Sequence, residues 1–221
     1  MKKLIIAIDG PSGAGKGTVS RALAQALGYR HIDTGAMYRA VGWKANHDGI
    51  PLNDEAAVAR LARAADLIVE GGVVAIDGHD VTGAIRTPEV DKIASTVARL
   101  PQVRDVLVTR QREMGAPGGV VMEGRDIGSV VFPNADVKIY LDASEEERAR
   151  RRAHDTAHAG SQAGQAAVAE AIQARDLSDK TRAASPLALA PGAEHIDTTD
   201  MPIDAVVNRV MALVRDKIGP L

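Results

Sequence analysis

The apolar run Leu4-Ile-Ile-Ala-Ile8 leads directly into Gly10-Pro-Ser-Gly-Ala-Gly-Lys-Gly-Thr18, and no other stretch limits the possible folds of this chain so tightly. A buried strand ending in closely spaced glycines brings backbone N–H groups against anionic oxygens, and a lysine with a following helix completes a phosphate-binding loop. Val19, Ala22, Leu23, Ala26 and Leu27 recur at helical spacing after Lys16, so the loop opens a helix whose positive end faces the anion. The strict G-x-x-x-x-G-K-[ST] pattern fails at one place, because Gly17 follows Lys16 and the hydroxyl comes at Thr18. A dinucleotide fingerprint fits worse, since the third glycine after Gly13 and Gly15 would fall at Thr18. Gly10, Pro11, Ser12, Gly13, Ala14, Gly15, Lys16, Gly17 and Thr18 are therefore expected to hold the phosphates of a nucleoside triphosphate.

Further strand-like runs stand at Val120–Met122, Val137–Leu141 and, more weakly, His195–Asp197, with helical patterns between them. That alternation predicts an α/β fold with a parallel sheet. Ser144 with Glu147 reads as a capping box, and Val206, Val207, Val210, Leu213 and Val214 form the stripe of a last helix starting near Ile203. The middle of the chain differs. Asn53 is read as a helix cap, Gly71-Gly72 joins two short apolar runs as a hairpin, and Thr87-Pro88 starts another helix. The expected organisation is one domain over 1–221, with a core of about 1–49, 99–154 and 184–221 and a small insert at about 50–98. Ala, Gly, Gln, His and Ser dominate 155–171, which is read as a flap between two helices.

Composition removes several classes of function. A net charge of −2 argues against a general nucleic-acid or membrane-surface binder, which needs a basic excess. The absence of cysteine excludes disulfides and thiolate metal sites and suits a cytoplasmic protein. Asp9 ends the first apolar run too early for a signal peptide, and no run is long enough to cross a bilayer.

Arginines cluster in five segments: Tyr38-Arg39, Arg104, Glu123-Gly-Arg-Asp126, Arg148 with Arg151 and Arg152, and Arg175-Asp176 with Asp179 and Arg182. Phosphoryl transfer calls for this supply, because its transition state spreads charge over equatorial oxygens that the protein must position and neutralise. Pairs such as Glu147–Arg151 on one helix would equally explain the 148–152 group as surface pairs. Charges at the carboxyl end of a buried parallel strand, as at 123–126, lie where α/β folds bind ligands. Asp9 and Glu123, at strand ends, are candidates to hold water around a magnesium ion, with Thr18 and Glu123 as its candidate ligands.

Taken together these blocks resemble the bacterial cytidylate kinase family. The loop with its Gly-Thr offset, Asp33-Thr-Gly-Ala-Met-Tyr-Arg39, Gly83-Ala-Ile-Arg-Thr-Pro-Glu-Val90, Glu123-Gly-Arg-Asp-Ile-Gly128, Val131-Phe-Pro-Asn-Ala135, Val137-Lys-Ile-Tyr-Leu-Asp-Ala143 and Arg175 to Leu187 follow the family order over nearly the whole chain. The resemblance implies a three-layer P-loop fold with a five-stranded parallel sheet, a monophosphate-binding insert and a lid at about 155–171. It implies a monomeric enzyme that transfers the γ-phosphoryl of ATP to CMP or dCMP with Mg2+. Thr34, Arg104 and Asp126 would meet cytosine and Tyr38 would line the nucleoside site. Arg39, Arg125 and Arg182 would hold the acceptor phosphate, while Ser95, Arg175 and Asp179 would approach the ribose. Lys16, Arg125, Arg148, Arg152 and Arg182 would act on the transferring group. The chain carries Thr34 where the family usually has serine and Ser129 where it has threonine. Leu177 and Ser178 replace a common arginine, so reduced charge over the ATP phosphates is expected. A kinase of another monophosphate such as UMP, or a switch that binds nucleotide without an acceptor, stays open at this point.

Overall fold

The computed structural model describes residues 3–154 and 165–218. The chain runs β1 (Ile5–Asp9), α1 (Lys16–Leu27), β2 (Arg30–Asp33), α2 (Thr34–His47) and α3 (Glu55–Ala64), then a hairpin region of β3 (Leu67–Glu70), β4 (Val73–Ile76) and β5 (His79–Asp80). It continues through α4 (Pro88–Val97), α5 (Pro101–Gly115), β6 (Val120–Gly124), β7 (Val137–Asp142), α6 (Glu145–Ala153), α7 (Gln165–Thr181), β8 (Glu194–Asp197) and α8 (Ile203–Ile218).

Five strands form one parallel sheet in the order β2-β6-β1-β7-β8. Its two central strands are buried on both faces, which is why β1 and β6 read as unbroken apolar runs. Ile6, Ile8, Val121 and Ile139 pack one face against Leu23 of α1 and Val210 and Val214 of α8. Ala7, Ile32, Val120 and Met122 pack the other against Val108 of α5 and Ile127. Helices on both faces of a parallel sheet give the expected three-layer α/β architecture.

A separate apolar cluster joins α2, α3, β3, β4, α4 and α5 around Val41, Ile76, Ile85 and Leu107. The strands β3, β4 and β5 make their own antiparallel sheet, so the hairpin at Gly71-Gly72 has a third strand. Two local expectations change. The cap of α3 is Asp54 rather than Asn53, because the Asp54 carboxylate accepts from the Ala57 N–H. Residues 165–171 are helical, forming the start of α7 rather than an irregular connection, since alanine and glutamine favour helix even where they bury little. The rest of that expected lid, 155–164, lies outside the described residues.

Candidate active site

The first construction is the loop itself. Gly10 has φ of 147°, and a Cβ there would lie 2.0 Å from the Leu141 carbonyl oxygen, so only glycine lets β1 turn against β7. Gly15 caps α1 in the left-handed region, with no side chain bonded to the helix N-terminus and no acidic residue in its first turn. The free N–H groups and positive end of α1 are therefore left for an anion. Lys16 donates to the Pro11 carbonyl at 2.6 Å across the loop. Burial, then the Arg125 charge, pushes its ammonium well below the usual lysine range. A cation held at such cost is stabilised by incoming phosphate.

Ser12 through Thr18 line a cavity of about 1100 Å³. Gly10 and Pro11 shape the loop from outside that surface. The same cavity carries Thr34, Tyr38, Arg39, Ser95, Arg104, Glu123, Arg125, Asp126, Arg152, Arg175, Asp179 and Arg182, so one space gathers nearly every residue singled out in the sequence.

At one end lies a buried polar pocket. Arg104, projecting from α5, pairs with Asp126, and its guanidinium stands 5.6 Å over the Tyr38 ring. Arg182 reaches the other Asp126 oxygen at 3.5 Å, and burial followed by the Arg104 charge lowers the Arg182 guanidinium from its ordinary value. Burial pushes the Tyr38 phenol up to about 12, so it stays a neutral ring with a hydroxyl. Thr34 donates to the Glu123 carbonyl at 2.7 Å, which fixes its hydroxyl beside β6.

Beside this pocket, Arg125 donates to Asp179 at 2.9 Å. Asp33 caps α2 by accepting from the Ala36 N–H at 3.0 Å, and also accepts from Arg39 at 2.8 Å and Arg86 at 3.2 Å. Burial alone would raise the Asp33 carboxyl, but Arg39, Arg86 and that N–H outweigh it and hold it below the usual carboxylate range. Arg86 and Asp33 were missed in the sequence. Arg86 sits in the Gly83-to-Val90 block without a local pattern that marks a ligand.

Three expectations are corrected. Arg148 does not face the cavity. It donates to the carbonyls of Ala143 and Ser12 at 3.0 Å and pairs with Asp176, whose other oxygen accepts from the Ser12 N–H at 3.2 Å. That arrangement clamps the loop from behind. Asp9 does not line the cavity, and its two oxygens instead anchor the turn after β6, accepting from Ile127 N–H at 2.8 Å and Gly128 N–H at 2.7 Å. Burial raises its carboxyl to about 6. Leu177 is exposed and Ser178 meets Arg99 of the 98–100 turn at 3.3 Å, so an arginine at either place would not point at the cavity.

Thr18 and Glu123 do suit magnesium. Both face the cavity, and a Cβ added to Gly17 would lie 3.3 Å from Glu123 Oε1, so that carboxylate reaches the edge of the loop. His31 bonds Oε1 at 2.8 Å and leaves Oε2 for another partner. One hydroxyl and one carboxylate, with the remaining positions filled by water and phosphate oxygens, match the hard-oxygen demands of this ion.

Known proteins resemble this chain over nearly its whole length. The cytidylate kinase family model matches residues 6–216. Cytidylate kinase of Desulfitobacterium hafniense is 48% identical over 98% of this chain and 95% of its own length. That of Pelotomaculum thermopropionicum is 51% identical over 95% of each chain, and that of Geobacillus kaustophilus 45% over 99% of each. Solved structures with the same fold include a gluconokinase from Sinorhizobium meliloti, with a TM-score of 0.51 and 19% identity over 96% of this chain and 93% of that one. A shikimate kinase from Bacteroides thetaiotaomicron has a TM-score of 0.51 and 13% identity over 97% of this chain and 99% of that one.

Proposed function

The chain belongs to the cytidylate kinase family, and from that premise we propose how its residues transfer the γ-phosphoryl group of ATP to CMP, giving CDP and ADP. The observation that carries the reading is the buried Arg104–Asp126 pair over Tyr38, in the same cavity as the phosphate-binding loop.

Cytosine offers an exocyclic amine beside the N3 and O2 acceptors. Asp126 accepts from that amine, Arg104 donates to N3 and O2, and Thr34 completes the edge while Tyr38 lines the ring. Uracil would turn a carbonyl oxygen toward the Asp126 carboxylate. Arg39, Arg125 and Arg182 hold the acceptor phosphate, with Arg86 joining them through Asp33. Ser95, Arg175 and Asp179 face the ribose, and a deoxyribose leaves the base and phosphate contacts intact, so dCMP is a substrate as well.

The loop backbone, with the α1 N-terminus and Lys16, takes the β- and γ-phosphates of ATP. An oxygen of the CMP phosphate forms a bond to the γ-phosphorus as the bond from that phosphorus to the bridging oxygen breaks, and the electron pair leaves on ADP. Little covalent work falls to the protein, so catalysis is positioning and charge neutralisation by Lys16, Arg125, Arg152 and Arg182. Thr18 and Glu123 would hold Mg2+, which when bound neutralises charge on the phosphate oxygens. Among the described residues no helix is long and apolar enough to cross a membrane. An enzyme drawing on free nucleotides in this way works in the cytoplasm, and the described residues of a single chain bring the loop and the nucleoside pocket into one cavity, so it acts as a monomer.

The test is ADP release from ATP with CMP, dCMP, UMP, AMP or no acceptor. Fast release with CMP and dCMP is expected, with the other acceptors slow. Equal release without any acceptor would make the chain a nucleotide hydrolase, and equal rates for UMP or AMP would remove the cytosine pocket.

A further inference from the structure

Asp91 is the charged residue beside this cavity that neither the loop nor the nucleoside pocket explains. It lies in the first turn of α4, four residues before Ser95, and among the described residues guanidiniums of three other helices reach it. Arg152, near the end of α6, pairs with its Oδ2 through Nη2. Arg175 of α7 donates to Oδ1 at 3.0 Å, and Arg39 of α2 approaches the same oxygen at 4.0 Å. All three arginines line the cavity, whereas Asp91 stands behind them.

Like charges gathered in a poorly hydrated wall repel one another, so such a wall needs a counter-charge even before a nucleotide arrives. Burial and the Arg125 charge lower the Arg175 guanidinium from its ordinary value, and Asp91 leads the groups that oppose this. Each fork is gripped on one edge. Arg39 holds Asp33 through Nη2 and faces Asp91 through Nη1, and Arg175 holds Asp91 through Nη1. The Nε atoms of both arginines are buried and hydrogen-bond to no other described residue. A planar guanidinium fixed on one edge presents its other donors in a set direction, which is what recognition of a phosphate requires. A second tie reinforces the placement, for Arg99 just beyond α4 reaches the Ser178 hydroxyl of α7 at 3.3 Å.

We propose that Asp91 is a positioning residue that draws Arg39, Arg152 and Arg175 into one anion-binding wall and so sets the concentration of acceptor monophosphate needed for turnover. The inference rests on the kinase reading above. Without the carboxylate the three arginines spread apart, and the bound nucleotides must gather them again, the acceptor drawing in Arg39 and Arg175 and the transferring phosphoryl group of saturating ATP drawing in Arg152. A saturating acceptor still assembles the wall, so the deficit falls on KM and spares kcat.

The experiment uses the full chain, with CMP varied at saturating ATP. In both Asp91→Asn and Asp91→Ser, KM for CMP should rise about tenfold, the effect of losing one charge-assisted contact, while kcat stays within about threefold of wild type. The two substitutions differ in bulk, so one remains readable if the other fails to fold. Asp91→Glu restores the charge and should recover most of the loss. Glu89→Gln removes another carboxylate, an exposed one, from the same first turn, and with it a comparable interaction with the helix end. Its KM should match wild type. Four results overturn the proposal: a wild-type or lowered KM in the Asp91 variants, a loss confined to kcat, a Glu variant no better than Asn, or a Glu89→Gln effect equal to that of Asp91→Asn. Absence of CMP phosphorylation in the wild-type protein would instead overturn the kinase reading itself.

Discussion

Lys16 shows how a single residue can be unfavourable for folding and required for chemistry. Its ammonium is buried at the head of α1, and its lowered value means that the folded state resists the charge. A charge that lowers stability in the folded protein contributes nothing to it when removed, so Lys16→Met should leave the melting temperature unchanged or slightly raised. The same substitution removes a preorganised cation from the transferring phosphoryl group, and kcat should fall by about 10² or more. A near-normal kcat would exclude Lys16 from the reaction. The loop lysine was legible in the sequence because every part of the motif is local. Asp91 was not, because Arg152 and Arg175 stand 61 and 84 residues further along the chain, Arg39 lies on an earlier helix, and no spacing rule connects them. Arg148 was legible as a charge but not as a clamp, since its helix offers Glu147 as an equally good local explanation. In the structure Arg150 and Arg151 take Glu147, while Arg148 turns inward to Asp176.

The turn after β6 carries Arg125 and Asp126, and its geometry depends on a strand beside it. Asp9, last residue of β1, accepts from two backbone N–H groups of the Ile127–Val131 helical turn and so fixes where β6 delivers both side chains. Asp9→Ala leaves two buried donors without an acceptor. At about 1–3 kcal/mol for each, the melting temperature should fall by roughly 4–24 °C, and CMP turnover should fall with it. An unchanged melting temperature would mean that the turn holds itself. Elements with long apolar runs were readable in advance, as β1, β6, β7 and α8 were. The strand β2 was not, because Arg30–Asp33 buries only Ile32 fully and lies at the sheet edge. The two-residue β5 is too short to carry an alternating pattern. Helix α7 was partly hidden by its alanine-rich start, which lacks the large apolar residues that make a helical stripe visible.

Charge is segregated across the whole molecule. The chain has a net charge of −2, yet among the described residues its cavity is lined by eleven lysine and arginine side chains against five carboxylates. A concave basic surface on a slightly acidic protein steers anions inward, and that steering weakens as salt shortens the reach of the field. The value of kcat/KM for CMP should therefore fall steeply between low and high ionic strength, mainly through KM, and a flat response would mean that local contacts alone capture the substrate. Capture does not decide which nucleotide is used. The central claim is that the Arg104–Asp126 pair makes that choice, inside the cavity that also holds the transferring phosphates. A site built from buried hydrogen-bonding groups rejects a ligand that leaves them unpaired by up to about 10⁴–10⁵. The direct measurement is the ratio of kcat/KM for CMP to that for UMP, in the wild-type protein and in Asp126→Asn. A large ratio in the wild type should shrink in the variant, because an amide can donate to the uracil oxygen that a carboxylate repels. A small ratio in the wild type, or a large one that Asp126→Asn leaves unchanged, would contradict the account.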